Sequence, residues 1–404
     1  MSEQDTKASG KDRRRPPRPV RGLCTVAAIA MLWLGRNSHA PSTVLGLSPF
    51  VAVASLLVTR ALHVSAGIGL TIGIVVLLRP RWFCRRICPL GHCADAVSRL
   101  GRRLGRRPAK FFPLGQWILW LTLGGALLGW PLLLWSDPLA IFSGAFTPFV
   151  QRSTAAVWLT LLPALAVLVL SFCWPYVWCS KVCPLGAFQD VLSHVSRTGR
   201  RLLHRSKKTD SPPGASLPVA RRAVLGAVVG TASASALRLM GTRAAPPLRP
   251  PGAVADETFR GICIRCGNCM RACPTRIIQP DLGGHGLTSL MSPVLSFADG
   301  YCREDCVACT QVCPSDALNS LKIERKPHIQ IGLPKVDMDI CLLGADRECA
   351  ECRRWCPYGA IHYAFSETSY SLAPQIDPDK CNGCGACEKA CPTQPKKAIV
   401  VRPV

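Results

Sequence analysis

The stretch "CIRCGNCMRACP", residues 263–274, sets three cysteines two residues apart and a fourth three residues further on, closing in Cys-Pro. The same run returns as "CNGCGACEKACP" at 381–392, and in looser form as "CREDCVACTQVCP" at 302–314 and "CLLGADRECAECRRWCP" at 341–357. Sixteen of the 23 cysteines of the chain fall in these four groups. Disulfide-stapled domains and zinc-binding C-x2-C pairs do not produce four triple-cysteine runs that each end in Cys-Pro. The spacing therefore points to a different centre.

Three thiolates two residues apart on a tight loop can each take one iron of a cubane, as in the bacterial ferredoxin run. The fourth cysteine, opening a new segment, reaches the other cluster of a pair. The expected ligands are Cys263, Cys266, Cys269 and Cys273, then Cys302, Cys306, Cys309 and Cys313, then Cys341, Cys349, Cys352 and Cys356, and finally Cys381, Cys384, Cys387 and Cys391. Together they would hold four [4Fe–4S] clusters. Gly267, Gly383 and Gly385 let the loops close around such a core and turn backbone N–H groups toward it. The middle groups depart from the pattern, with three residues between Cys302 and Cys306 and seven between Cys341 and Cys349. Because a linear arrangement pairs unlike loops twice, a nested pairing is expected, first group with fourth and second with third.

Upstream of these groups the composition changes. The 404 residues carry a net charge of +25 and are 49% apolar, but the charge is lopsided. Residues 1–240 hold 30 Lys and Arg against 7 Asp and Glu, while 241–404 hold 19 against 17. The basic residues form blocks, "KDRRRPPRPVR" (11–21), "RPRWFCRR" with "RLGRRLGRRPAK" (79–110) and "RTGRRLLHRSKK" (197–208), separated by apolar runs near 22–35, 61–78, 112–135, 154–174 and 223–239. The loops at 36–60 and 136–153 carry few charges. Basic loops alternating with nearly uncharged ones fit the positive-inside rule, not a nucleic-acid groove. Four spans bring the chain back to the cytoplasm near residue 177, and Gly67, Gly69 and Gly73 give the second a face for close packing.

The fifth run, "ARRAVLGAVVGTASASALRL" (220–239), joins a paired arginine to a weakly hydrophobic, small-residue stretch. It is similar to a twin-arginine export signal, the type read by the system that moves folded proteins. Read instead as an ordinary helix, it still carries residues 241–404 outward.

The span region has its own repeat. "CRRICPLGHCADAVSRL" (84–100) aligns with "CSKVCPLGAFQDVLSHV" (179–195), sharing Cys-x3-Cys-Pro-Leu-Gly, Asp95 with Asp190 and Ser98 with Ser193. The Pro-containing outer segments "LSPFVAV" (47–53) and "SDPLAIF" (136–142) precede them, so residues 36–200 read as two copies of one unit. Cys84 and Cys88 with Cys179 and Cys183 supply four thiolates on the cytoplasmic side, open to one further cluster or to redox thiols. Cys24, Cys93 and Cys173 have no motif.

Residues 22–200 resemble NapH, the membrane subunit of a haem-free quinol dehydrogenase. Residues 220–404, with "CPSDAL" (313–318) between the motifs, resemble its four-cluster partner NapG or MauM. The resemblance implies a fusion of the two. A basic cytoplasmic N-terminus (1–21) would lead into a helical membrane domain (22–196), followed by a basic linker (197–220) and a signal or anchor helix (221–241). An α+β ferredoxin-like domain with four [4Fe–4S] motifs (242–404) would then lie outside the bacterial cytoplasmic membrane. It also implies a function: quinol from the membrane pool is oxidised, and electrons pass to a periplasmic reductase or electron carrier. NapH-type subunits carry a two-cluster tail of their own, which 197–219 lack. The internal signal would persist as an anchor rather than be cleaved.

Elimination agrees. His63 is the one histidine in a span, so no bis-histidine haem can be built, and neither a C-x-x-C-H site nor a dinucleotide glycine fingerprint occurs. Quinol feeding the outer clusters would sit near the outer helix ends, where His63, Arg60 and Asp137 are the candidates and His39 is more remote. A second reading is a FixG-like protein, which reduces copper for the maturation of a metalloenzyme but keeps two clusters inside. A third, a redox-sensing regulator, has no sensor domain in view.

Overall fold

The computed structural model describes residues 18–34, 40–61, 64–108, 111–151, 155–204, 217–241, 246–366 and 371–404. A helical N-terminal domain contains α1 (Arg18–Leu34), α2 (Ala40–Gly46), α3 (Pro49–Thr59), α4 (Val64–Leu78), α5 (Trp82–Arg86), α6 (Pro89–Arg103), α7 (Leu114–Leu127), α8 (Pro138–Gly144), α9 (Thr147–Val150), α10 (Ala155–Trp158), α11 (Leu162–Cys173) and α12 (Pro184–His204). The helix α13 (Leu217–Gly241) follows. It starts before Arg221, and α12 runs on past residue 196 into the stretch expected to be linker.

The two repeats interlock. α6 of the first packs on α11 of the second, and α12 of the second packs on α4 of the first. Each Cys-Pro-Leu-Gly motif starts an amphipathic helix in the same way, with proline at the first turn, where its missing N–H costs nothing. Arg21 pairs with Asp95 at 2.5 Å, and Arg81 pairs with Asp190, so the two aligned aspartates each hold a basic residue from a neighbouring segment.

The segments expected as outer loops, 36–60 and 136–153, contain buried helices. Ser48 caps α3 and Asp137 caps α8, each followed by proline, and the Ser48 hydroxyl donates to Asp137 Oδ1 at 2.7 Å. Phe50, Val51, Leu139 and Phe142 are buried in one core with Phe83, Cys88 and Leu185. A cap residue followed by proline and an apolar run is a helix-start signal. At eleven and seven residues these helices are too short to register as spans of about 20.

Of the described helices, the segment Ala156–Cys173 is long and apolar enough to cross a membrane, while 20–33, 66–78, 114–127 and 223–237 are shorter apolar helices. Gly69 and Gly73 face α3 as their spacing suggested, whereas Gly67 faces open space. α7 and α13 pack against each other along their lengths. A Cβ on Gly124 would strike the Ala227 carbonyl, and one on Gly230 would strike that of Leu121. Backbones this close require glycine on both sides, in the small-xxx-small manner.

The C-terminal domain holds α14 (Asp256–Ile262), α15 (Asn268–Ala272), α16 (Ala308–Gln311), α17 (Glu351–Arg354) and α18 (Ala386–Ala390). Its strands β1 (Ile278–Pro280), β2 (Pro293–Leu295), β3 (Leu333–Val336), β4 (Ile361–Ser366), β5 (Ser371–Ile376) and β6 (Ile399–Arg402) make three antiparallel pairs, β1–β2, β3–β6 and β4–β5. These elements are too short to form a sheet-based core. Cysteine loops fill two small cores instead, one around the first two motifs and one around the last two.

The domains meet through the first motif. The Ser143 hydroxyl donates to Asn268 Oδ1 at 3.1 Å, and the Arg271 guanidinium donates to the carbonyl and hydroxyl of Ser143. Gln151 Nε2 donates to the carbonyls of Arg276 at 3.2 Å and Ile278 at 2.7 Å, and Arg265 lies over the Trp135 ring. Val58, near the end of α3, packs into the core of the first two motifs. Thus α3 and α8 both begin at the Ser48–Asp137 contact and end against the C-terminal domain.

Candidate metal centres

The sixteen motif cysteines gather into four sets of three plus one. Set I is Cys263, Cys266 and Cys269 with Cys313, around one small cavity, and set II is Cys302, Cys306 and Cys309 with Cys273, around another. Set III is Cys341, Cys349 and Cys352 with Cys391. Set IV is Cys381, Cys384 and Cys387, each of which interacts with Cys356. The pairing is therefore linear, first motif with second and third with fourth, and the nested expectation is corrected.

The reason lies in the part of each motif that crosses over. The third cysteine of each motif lies in a one-turn helix, and these helices pack in pairs, α15 on α16 and α17 on α18, so that each fourth cysteine reaches into the neighbouring loop. The irregular spacings, Cys302 to Cys306 and Cys341 to Cys349, lie ahead of that helix and leave the exchange untouched. Nesting appears one level higher. The Cys302 N–H donates to the Cys384 carbonyl at 2.8 Å, and β3 pairs with β6. Sets II and IV are thereby neighbours, and the sets run I, II, IV, III away from the N-terminal domain.

The donor chemistry suits iron–sulfur clusters. Burial pushes the Cys266 and Cys384 thiols up to about 12 and Cys313 to about 11. Such thiols keep their protons until a metal displaces them. Backbone N–H groups already point at sulfur, from Leu318 to Cys313 at 3.5 Å and from Ala360 to Cys356 at 3.4 Å. Among the described residues no group of three or more His, Cys, Asp or Glu is drawn together tightly enough for a single ion. The thiols stand around a space, as a cubane requires.

The Cys-x3-Cys pairs also converge. Cys88 lies within electrostatic range of Cys84 and Cys179, and Cys183 within range of all three. The Gly91 N–H donates to Cys88 Sγ at 3.3 Å and the Gly186 N–H to Cys183 Sγ at 3.4 Å, one arrangement made twice. Gln189 Nε2 donates to Cys84 Sγ at 3.0 Å. Thiolates at helix N-termini, receiving N–H groups, are suited to metal binding.

Of the proposed quinol residues, Asp137 and Arg60 lie apart. Asp137 is fully buried as the cap of α8, whereas Arg60 is exposed at the far end of α3, about 16 Å of helix from Ser48. His63 and His39 lie outside the described residues. Several functional neighbours were not singled out from the sequence: Gln189, Ser143, Lys326, and Tyr358, which lies against Cys302 and Cys384 and accepts from Asn382 Nδ2 at 2.9 Å. All four sit outside the Cys-x-x-Cys runs, where spacing gives no signal.

Family comparisons fit these sets. A "4Fe-4S dicluster domain" matches residues 262–318, which span sets I and II, and a "4Fe-4S binding domain" matches 374–396. A second family, also described as a 4Fe-4S binding domain, matches 61–108 and 156–206, around the two Cys-x3-Cys pairs. Among known proteins, the methylamine utilization ferredoxin-type protein MauM of Methylobacillus flagellatus is 35% identical over 177 residues, 42% of this chain and 73% of that protein. The ferredoxin-type protein NapG of Escherichia coli K12 is 35% identical over 190 residues, 45% of this chain and 77% of NapG. The chain belongs to this NapG/MauM family of ferredoxin-type proteins. The ferredoxin-type protein NapF of Escherichia coli K12 is 33% identical over 151 residues, 37% of this chain and 83% of NapF. No solved structure matches the chain. Family membership makes it an iron–sulfur electron-transfer protein.

Proposed function

We propose that the chain is a membrane-bound quinol dehydrogenase module, with its N-terminal helices in the bacterial cytoplasmic membrane and its four-cluster domain on the periplasmic side. The observation that carries this reading is the docking of set I on α8 and α9, with the remaining sets leading away in the order II, IV, III. When bound, a [4Fe–4S] cluster supplies one-electron transfer, which converts the two-electron oxidation of quinol into single steps. The chain's part is to hold four such centres in a row. It buries the entry end against Ser143 and Gln151 and leaves the far end, the exposed insertion at 344–348 of the third motif, open to a reductase or carrier.

The Cys84, Cys88, Cys179 and Cys183 quartet would hold a fifth cluster. It has no two-cluster tail to pass electrons to. However, α8 leads from its surroundings to set I, since Asp137 at the start of α8 lies within electrostatic range of Cys84 and Cys88, and Ser143 near its end bonds Arg271. Close packing of α7 against α13 supports the twin-arginine-like helix as a retained anchor. The FixG-like reading gains no specific support.

Purified chain in detergent should oxidise a reduced quinol analogue when a soluble one-electron acceptor is present, and Cys266→Ser should abolish this. A reporter fused after Val404 should be active in the periplasm. No turnover together with a cytoplasmic reporter would favour the maturation reading.

A further inference from the structure

Lys326 belongs to no cysteine motif. It lies in the short 3-10 turn Ile323–His328, yet its side chain is fully buried. Its ammonium donates to the carbonyl oxygens of Arg303 and Cys306 and reaches the Cys302 thiol, with Cys309 in electrostatic range. Burying a lysine is costly unless something nearby is negative. The carboxylate in electrostatic range, Asp305, is exposed and already paired with Arg303. Two carbonyl dipoles and a thiol make a poor counter-ion, whereas a cluster on four thiolates would be anionic. By contrast, Cys381 of set IV faces Asp377, and the cation near set III, Lys397 on the Cys391 carbonyl, is partly exposed.

We propose that Lys326 is a built-in counter-charge for set II, raising the reduction potential there above that of set IV, so that an electron is held at set II in preference to set IV. This rests on the iron–sulfur reading of the four sets. The step is a one-electron reduction in which no bond forms or breaks and the added negative charge stays beside the ammonium. A fixed charge in a low-dielectric interior favours the more negative state, and cluster potentials respond to charge and to hydrogen bonds at sulfur. Set II is the member of the first pair that neighbours the second, so its potential decides how readily electrons cross from one pair to the other.

The test is an anaerobic EPR-monitored redox titration of the full chain, with iron measured first. Lys326→Met should lower one midpoint by at least tenfold in the reduction equilibrium, about 59 mV for one electron, and leave the others in place. Lys326→Arg should stay near the parent value. Lys389→Met, which removes an exposed amine that donates to the Ala298 carbonyl, should move none. Unchanged midpoints in Lys326→Met, or an equal shift in the arginine variant, would overturn the proposal. Should the methionine variant lose about four irons, Lys326→Gln, which keeps a donor but not the charge, must still lower the midpoint, and no shift there overturns it equally. Parent protein without iron would instead refute the iron–sulfur reading beneath it.

Discussion

Replacing Gln151 by leucine should loosen the entry end of the molecule without touching a single thiol. Gln151 is buried, and its amide nitrogen donates to the carbonyls of Arg276 and Ile278, at 3.2 and 2.7 Å. Leucine keeps much of the volume but leaves both acceptors without that donor. An unsatisfied buried carbonyl costs about 1–3 kcal/mol, and a part-buried bond about 1 kcal/mol. The docked arrangement should therefore weaken by about 2–4 kcal/mol, roughly 30- to 700-fold in the ratio of docked to undocked states. The Ser143–Asn268–Arg271 contacts remain, so docking should weaken without being lost. Amide hydrogen exchange reads the difference directly. Residues 138–151 and 263–280 should exchange at least tenfold faster, while 381–402 and the iron content stay as in the parent. Equal protection in both proteins would refute the idea that this contact holds set I against the helical domain.

Other consequences can be measured independently. Cys313→Ser and Cys266→Ser should erase the same EPR signal, because both residues belong to set I. If Cys313→Ser erased the signal lost in Cys302→Ser instead, the linear exchange would be wrong. Tyr358→Leu should leave iron content intact yet slow electron arrival at sets III and IV in rapid-freeze EPR, since Tyr358 packs on the core that holds both Cys302 and Cys384. An unchanged rate would exclude that role. In metal-free protein, thiols such as Cys266 and Cys384 titrate near 12 when folded but near 9 when unfolded. The unfolded chain then binds fewer protons between those values, so stability should fall as pH rises above about 9, by up to about 1.4 kcal/mol per unit and group. The iron-loaded protein should show no such slope over that range, and a matching slope would mean that these thiols are not ligands.

The four cysteine motifs and the Cys-x3-Cys repeat were legible because metal chemistry fixes spacing within a few residues of chain. Cluster pairing was not, because it depends on which one-turn helices pack together, and α15 and α16 carry no spacing signature of their own. The half-helices α3 and α8 were hidden by length. A criterion of about 20 apolar residues passes over a capped run of seven, although the Ser-Pro and Asp-Pro starts were in plain view. That Asp137 also caps a helix and accepts from Ser48 could not be read from its place in the sequence. Lys326 sits 13 residues past Cys313 in an unremarkable charged stretch. Only folding reveals that its ammonium turns inward.

Quinol oxidation itself is open to one direct measurement: anaerobic EPR of the purified chain before and after adding a reduced quinol analogue, with iron counted alongside. About sixteen irons, or about twenty with the fifth centre, and reduced-cluster signals appearing on addition of quinol are expected. A fully loaded protein whose clusters stay oxidised in excess quinol would contradict the proposal and point to another electron donor.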